Sequence, residues 1–357
     1  MAAIGILVAV LLSVYFLRRI YATPFLTNLD VQLSVSASTA TEGDVLTLTE
    51  ILTNKNWLPL PWVTAKFHVA KELEFACKST GSYGSYYRND LFHILMHQKV
   101  TQRLTFTCTK RGFYSIDGLE LITWDILMEN KYIRKYPCNI RLMVYPKLIS
   151  MPEIDAVFTY VYGQLHTRRR INPDPFEFSG IREYSLGDSM KAINYKASAK
   201  GAGLMVNVWD FVNDRQVVIL FDTVRPTLRY DINMEKRAIQ IAASVADKLE
   251  RTNTPVQLQI NEKSLPAGRG RQHLCSVWES LACIDYYNQD VSPLSREIDE
   301  IIISGCHSPE YWIITPYYSK DTEEAYWRMK DTGCHAVWLM PGIKPADMEI
   351  CEEIIFV

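Results

Sequence analysis

Arg182, Glu183 and Asp188 fall close together in the stretch FSGIREYSLGD (178–188). Ionic residue types at this spacing suit recognition through charge-assisted hydrogen bonds. On an extended stretch Arg182 and Glu183 point to opposite sides and do not pair directly. Gly187 permits a tight turn, and across it Arg182 can meet Asp188 and fix the loop. Asp188 is also placed to cap a helix starting at Ser189, with Met190, Ile193 and Ala197 on one face and an end at Gly201-Ala202-Gly203. Two roles stay open: a polar surface that recognises a partner chain or a phosphate, or an internal polar clasp between the sheet and a β domain.

Bond-making chemistry finds less support. The chain holds eight cysteines, Cys77, Cys108, Cys138, Cys275, Cys283, Cys306, Cys334 and Cys351, with no C-x-x-C pair and no histidines at zinc-ligand spacing. Scattered singly in apolar surroundings, they read as small core residues of a reduced compartment. His273 with Cys275, and Cys306 with His307, are too close in sequence to face each other, and neither has an evident third orienting group. No Gly-rich phosphate loop, H-E-x-x-H or G-x-S-x-G occurs. Gly268-Arg269-Gly270-Arg271 is a basic turn without a nucleotide loop's context. Arg168-Arg169-Arg170 reads as a solvated basic loop that could touch lipid headgroups or an acidic partner.

The elements that must position these residues divide the chain. Its 357 residues, 48% hydrophobic and 22% charged, fit two globular domains, and a net charge of −2 gives no global attraction to nucleic acid or anionic lipid. Ala2 to Leu17 is free of charge and spans about 25 Å as a helix. With snorkelling Arg18 and Arg19 it is expected to be a single transmembrane anchor over residues 1–22. The arginines after the span place the following domains in the cytoplasm by the positive-inside rule.

Residues 23–150 alternate apolar and polar residues in short runs: VQLSVSAS (31–38), VLTLTEIL (45–52), WVTAKFHVA (62–70), RLTFTCT (103–109), LELITW (119–124) and IRLMVY (140–145). Turn residues between them predict an immunoglobulin-like β-sandwich, with 77–98 as a long hairpin or loop. A linker and the polar segment fill 151–203. From 204 to 357 strands alternate with helices, LMVNVWDF (204–211) and QVVILFDT (216–223) being the first strands, and Asp231 caps a helix running to Glu250. This predicts a doubly wound α/β domain with a mainly parallel sheet.

Gly180, Arg182, Glu183, Tyr184, Gly187, Asp188, Ile193, Tyr195, Ser198 and Ala199 together resemble the bacterial family called domain of unknown function 58. Arg111-Gly112-Phe113-Tyr114, Asp125 and Tyr145-Pro146 also look like the family, whose members usually carry tryptophan where Tyr195 stands. The resemblance implies a C-terminal domain similar to von Willebrand factor A domains. It also implies a gene neighbourhood with MoxR-type AAA+ ATPases, sometimes with transglutaminase-like proteins, and supplies no catalytic activity. Domains of that C-terminal type often hold Mg²⁺ through D-x-S-x-S. Here Asp222-Thr223-Val224-Arg225-Pro226 keeps the aspartate but loses both hydroxyls, a degenerate site expected to bind no metal.

The expected architecture is therefore multidomain: a transmembrane helix, a β-sandwich and a doubly wound von Willebrand factor A-like domain. The expected function is a membrane-anchored, non-enzymatic scaffold or adaptor that needs no cofactor. Its partner-binding or clasp residues are Gly180, Arg182, Glu183, Tyr184, Gly187, Asp188, Lys196 and Ser198. A protein partner is expected, a MoxR-type ATPase being the one the resemblance implies, and no nucleic acid. The alternative is a metal-dependent adhesion or cell-envelope-binding module. Protease accessibility of the β domain on intact cells separates the two.

Overall fold

In a computed structural model, residues 2–21, 28–57, 59–75, 81–82, 85–124, 131–149, 152, 154–159, 161, 178–185, 188–200, 203–209, 216–226, 231–261, 263–286, 292–305, 309–342 and 354–357 are described. The chain divides into two compact units: Met1–Lys147 with Trp278–Cys283, and Leu148–Val277 with Ile284–Val357.

The first unit begins with helix α1 (Ala2–Tyr21). The expected transmembrane anchor is overturned, because among the described residues no helix is long and apolar enough to cross a membrane. The uncharged run stops at Leu17, and Arg18 and Arg19 lie inside the helix. The apolar length of about 25 Å thus falls short of the ~30 Å hydrocarbon core. What stands in place of the expected architecture is a mixed α/β chain of short strands and helices.

Among the described residues ten strands follow: β1 (Leu29–Val35), β2 (Thr39–Thr41), β3 (Val45–Asn54), β4 (Leu60–Ala70), β5 (Leu73–Phe75), β6 (Gly81–Ser82), β7 (Ser85–Ile94), β8 (Lys99–Cys108), β9 (Gly112–Trp124) and β10 (Lys131–Tyr145). They form a four-stranded sheet of order β1-β3-β8-β5 and a six-stranded sheet of order β2-β10-β9-β4-β7-β6. Period-two alternation sends one face of each strand inward. Leu48, Leu52 and Phe106 from the first sheet therefore share a core with Val63, Phe67, Phe92 and Leu121 from the second.

In the second unit, β11 (Phe178–Glu183) and β12 (Met205–Trp209) pair antiparallel as a separate two-stranded sheet. The 204–211 strand is thus held apart from the α/β sheet that its sequence position suggested. That sheet contains β13 (Val217–Phe221), β14 (Val256–Ile260), β15 (Lys263–Gly268), β16 (Glu310–Ile314), β17 (His335–Met340) and β18 (Ile354–Phe356), in the order β15-β14-β13-β16-β17-β18. All pairings in it are parallel except β14 with β15.

Besides the short α2 (Tyr195–Ser198), the helices named below are α3 (Ile232–Arg251), α4 (Arg271–Ala282, whose last residues from Trp278 belong to the first unit), α5 (Leu294–Ser304) and α6 (Lys320–Asp331). Asp231 caps α3 by accepting from the Asn233 amide at 2.8 Å. Every residue of β13 is buried, as an apolar strand covered on both faces must be. Val218 and Leu220 share one core with Leu294 and Ile298 of α5, Tyr326 and Met329 of α6, and Trp338. The alternate residues Val217, Ile219 and Phe221 are buried too, while α3 packs on β14 and β16 and buries Ala238, Ile241, Val245 and Leu249.

Candidate functional site

The polar segment is built on the β11–β12 pair, where Glu183 lies opposite Met205 and Ile181 opposite Asn207. The Tyr184 amide extends the ladder to the Leu204 carbonyl at 2.8 Å. Just beyond, the chain turns, and Arg182 grips Asp188 through two hydrogen bonds, Nη1 to Oδ2 at 2.8 Å and Nη2 to Oδ1 at 2.6 Å. Asp188 Oδ2 also accepts from the Ser185 amide at 2.9 Å, which closes the loop. The Arg182 hydrogen bond and the Ser185 amide hold the Asp188 carboxyl below its usual range, and Asp188 in turn holds the guanidinium proton more firmly. Half of the Arg182 side chain remains in solvent, so this fork fixes geometry rather than sealing a core.

The helix expected after Asp188 is broken. Met190–Ala192 is one 3₁₀ turn, with Ser189 before it making no side-chain cap, and Ile193 then runs extended to bridge Val206. Asp188 turns instead toward Arg182 and Ser185, and Ser189 stands at the cap position. Asn194, unremarked in the sequence, does the positioning instead. Its Oδ1 caps α2 by accepting from the Ala197 amide at 2.9 Å, and its Nδ2 donates to Asn207 Oδ1 at 2.7 Å. Ser198 Oγ fastens the other end, donating to the Asn194 carbonyl and accepting from the Met205 amide, both at 2.8 Å.

The expected site residues therefore separate by role. Ser198 and the Tyr184 backbone hold the segment together, and Arg182 with Asp188 shape its loop. Glu183 and Lys196 face solvent, and a Cβ on Gly180 would meet nothing within 4 Å. Gly187 lies outside the described residues, as do Arg168-Arg169-Arg170, Cys306 and His307. Missed from sequence were four large apolar side chains left in solvent: Ile181, Met190, Tyr195 and Leu204, with Met190 and Tyr195 73% and 74% exposed. Lys191, Lys196 and Lys200 are exposed among them, and none forms an ion pair with a described residue.

A second polar cluster lies at the C-terminal ends of the parallel strands. The chain leaves β13 toward β14 on one side and later crosses to β16 on the other, so a topological switch point falls between β13 and β16. Open parallel sheets bind ligands in such crevices. Asp222 sits there, 7% exposed, its Oδ1 accepting from the Val224 amide at 2.9 Å. Burial pushes its carboxyl up to about 6, against the pull of that amide. Thr223 Oγ1 donates to Asn261 Oδ1 at 3.0 Å, and Arg225 forks onto Glu235 at 2.5 and 2.6 Å. Tyr317 adds a hydrogen bond to Glu235 Oε1 at 3.1 Å. Thr223 is thereby engaged with Asn261, and Arg225 and Tyr317 with Glu235. Among the described residues no three His, Cys, Asp or Glu side chains are grouped to hold a metal ion.

His273, weighed above beside Cys275, has its Nε2 2.7 Å from the Val256 carbonyl. Its Nδ1 lies against Gly268, where a Cβ would stand 2.5 Å away. The ring thus packs against the β14–β15 hairpin.

The family described as Protein of unknown function DUF58 matches residues 180–303, about a third of the chain. The match starts at Gly180, takes in the polar segment from that residue onward and β13 to β15 of the sheet, and ends within α5. No curated protein matches the chain. Among solved structures, the chain is similar to AvmM, described as catalysing macrocyclization in alchivemycin A biosynthesis, at 9% identity and a TM-score of 0.24, over 34% of this chain and 93% of that one. The sporulation control protein Spo0M from Bacillus subtilis aligns at 12% identity and a TM-score of 0.21, over 44% of this chain and 58% of that one. A cohesin module from Clostridium perfringens aligns at 9% identity and a TM-score of 0.24, over 32% and 96%. At these scores the three likenesses carry no argument about this chain.

Proposed function

We propose that the protein is a non-enzymatic adaptor that docks a protein partner through the segment from Ile181 to Leu204, and that the partner presents an acidic face around an apolar recess. The observation that carries this reading is the exposure of Tyr195 and Met190, at 74% and 73%, on a segment fastened from beneath by Asn194, Ser198 and the Arg182–Asp188 fork. Large apolar side chains on a rigid base are the usual anchors of protein interfaces, since little conformational freedom is lost when they are covered. Lys191, Lys196 and Lys200 around them favour a carboxylate-rich counterpart and raise the rate of encounter. A MoxR-type AAA+ ATPase is the partner implied by the resemblance to the domain of unknown function 58 family.

Calorimetric titration of the full chain with a purified MoxR-type ATPase from the same genome tests this. Binding should weaken about a hundredfold in Tyr195→Ala with Met190→Ser, roughly the loss of two interface anchors. It should also weaken with added salt and in the charge-reversed Lys191→Glu, Lys196→Glu, Lys200→Glu chain. Absence of binding, or equal binding by all variants, rules the reading out.

A further inference from the structure

Three ionisable side chains meet inside the apolar core of the first unit. Glu50 of β3 points inward between Leu48 and Leu52, which share its face of the strand, and it is fully buried. Arg88 and Asp90 of β7 belong to the other sheet, with exposures of 5% and 9%. Arg88 Nε donates to Asp90 Oδ2 at 2.6 Å, and the guanidinium lies over the Phe75 ring at 4.7 Å. Neither carboxyl oxygen of Glu50 makes a well-formed hydrogen bond with a described residue, and Asp90 is the neighbour near enough to share a proton with it. The neighbours in register add no charge: Leu33 and Gln102 stand beside Glu50, Ala65 and Phe67 beside Asp90 and Arg88.

One guanidinium and two carboxyl groups therefore lie together where little water reaches. Ionising both would leave a net negative charge in hydrocarbon surroundings, which proteins avoid by keeping one group protonated. We propose that Glu50, Asp90 and Arg88 form a pH-sensitive bolt across the two sheets, closed while Glu50 carries a proton and loosened when that proton leaves to solvent. Burial, then the charge of Asp90 and its side-chain hydrogen bonding with Glu50, push Glu50 up to about 8, with Arg88 opposing. In the unfolded chain the same group titrates near 4.5. The folded state alone therefore binds the proton between those values. The bolt's contribution is complete below about pH 4.5 and falls as pH rises to about 8.

Urea unfolding of the full chain across pH 5 to 9, read on the first unit, compares the unsubstituted protein with Glu50→Gln. The folded-to-unfolded ratio of the unsubstituted chain should fall relative to the variant by roughly tenfold per pH unit up to about 8. The total change should be on the order of a thousandfold, with a plateau beyond. Should Glu50→Gln fail to fold, the infrared carbonyl band of a protonated carboxyl in the unsubstituted chain takes its place. It should be present at pH 7 and lost by about pH 9, near the value given for Glu50. Parallel pH profiles, or no protonated carboxyl at pH 7, overturn the proposal.

Discussion

Replacing Arg225 by methionine tests whether the polar cluster beside the switch point is held by charge. Glu235 is nearly enclosed, its side chain 4% exposed, while that of Arg225 is 16% exposed. The guanidinium supplies two of the hydrogen bonds that Glu235 receives, and Tyr317 supplies another. Methionine keeps the aliphatic volume but leaves a buried carboxylate with that hydroxyl and no counter-charge. Removing one partner of a buried pair costs about 3–5 kcal/mol. The surviving Tyr317 bond and the partial exposure of Arg225 place the expected loss near the lower end, at about 3 kcal/mol. Adding Glu235→Gln removes the stranded charge, so the double variant should recover all but about 1 kcal/mol, the usual scale of a neutral hydrogen bond. Urea unfolding of the second unit at pH 7 gives both numbers from midpoints and slopes. If Arg225→Met lies within about 1 kcal/mol of the parent, the pair is merely a surface contact and the reasoning fails.

Two further outcomes follow from the same geometry. Asn194→Ala removes the cap of α2 and the bond to Asn207, so stability should fall by about 1 kcal/mol. The amides of Ala197 and Ser198 should also lose protection in hydrogen exchange. Asp222 titrates near 3.8 when unfolded and near 6 when folded, so its contribution is present below about pH 3.8 and lost as pH climbs to about 6. Asp222→Asn keeps an acceptor for Val224 and removes that slope. At pH 7 it should be more stable than the parent by about 1–3 kcal/mol, while at pH 3.5 the two should coincide. A difference that does not change with pH between 3.5 and 7 contradicts the assignment.

What the sequence discloses depends on how far a residue must reach for its partner. Asp231 is read correctly as a cap because the amide it serves is two residues away, and Arg182 as the partner of Asp188 because one turn separates them. The buried strand Val217–Phe221 is legible because an unbroken apolar run must be covered on both faces. Where the partner lies across a sheet, local pattern falls silent. Nothing near Met205 says that it pairs with Glu183 rather than joining β13, and nothing near Asn194 announces Asn207. The expected helix after Asp188 gives way to a single 3₁₀ turn, because the carboxylate is held back by the Arg182 guanidinium and the Ser185 amide and Ser189 stands at the cap position instead. The anchor failed on length, because Arg18 and Arg19 lie within the helical span that was counted toward the membrane. The same distance rule hid the surroundings of both the exposed tyrosine and the buried glutamate. Glu50 shares the parity of Leu48 and Leu52, so alternation places it on the inward face, but nothing in its own strand announces Arg88 and Asp90 on the opposing sheet. Tyr195 sits where apolar residues are ordinarily covered, and only the assembled fold leaves it in solvent.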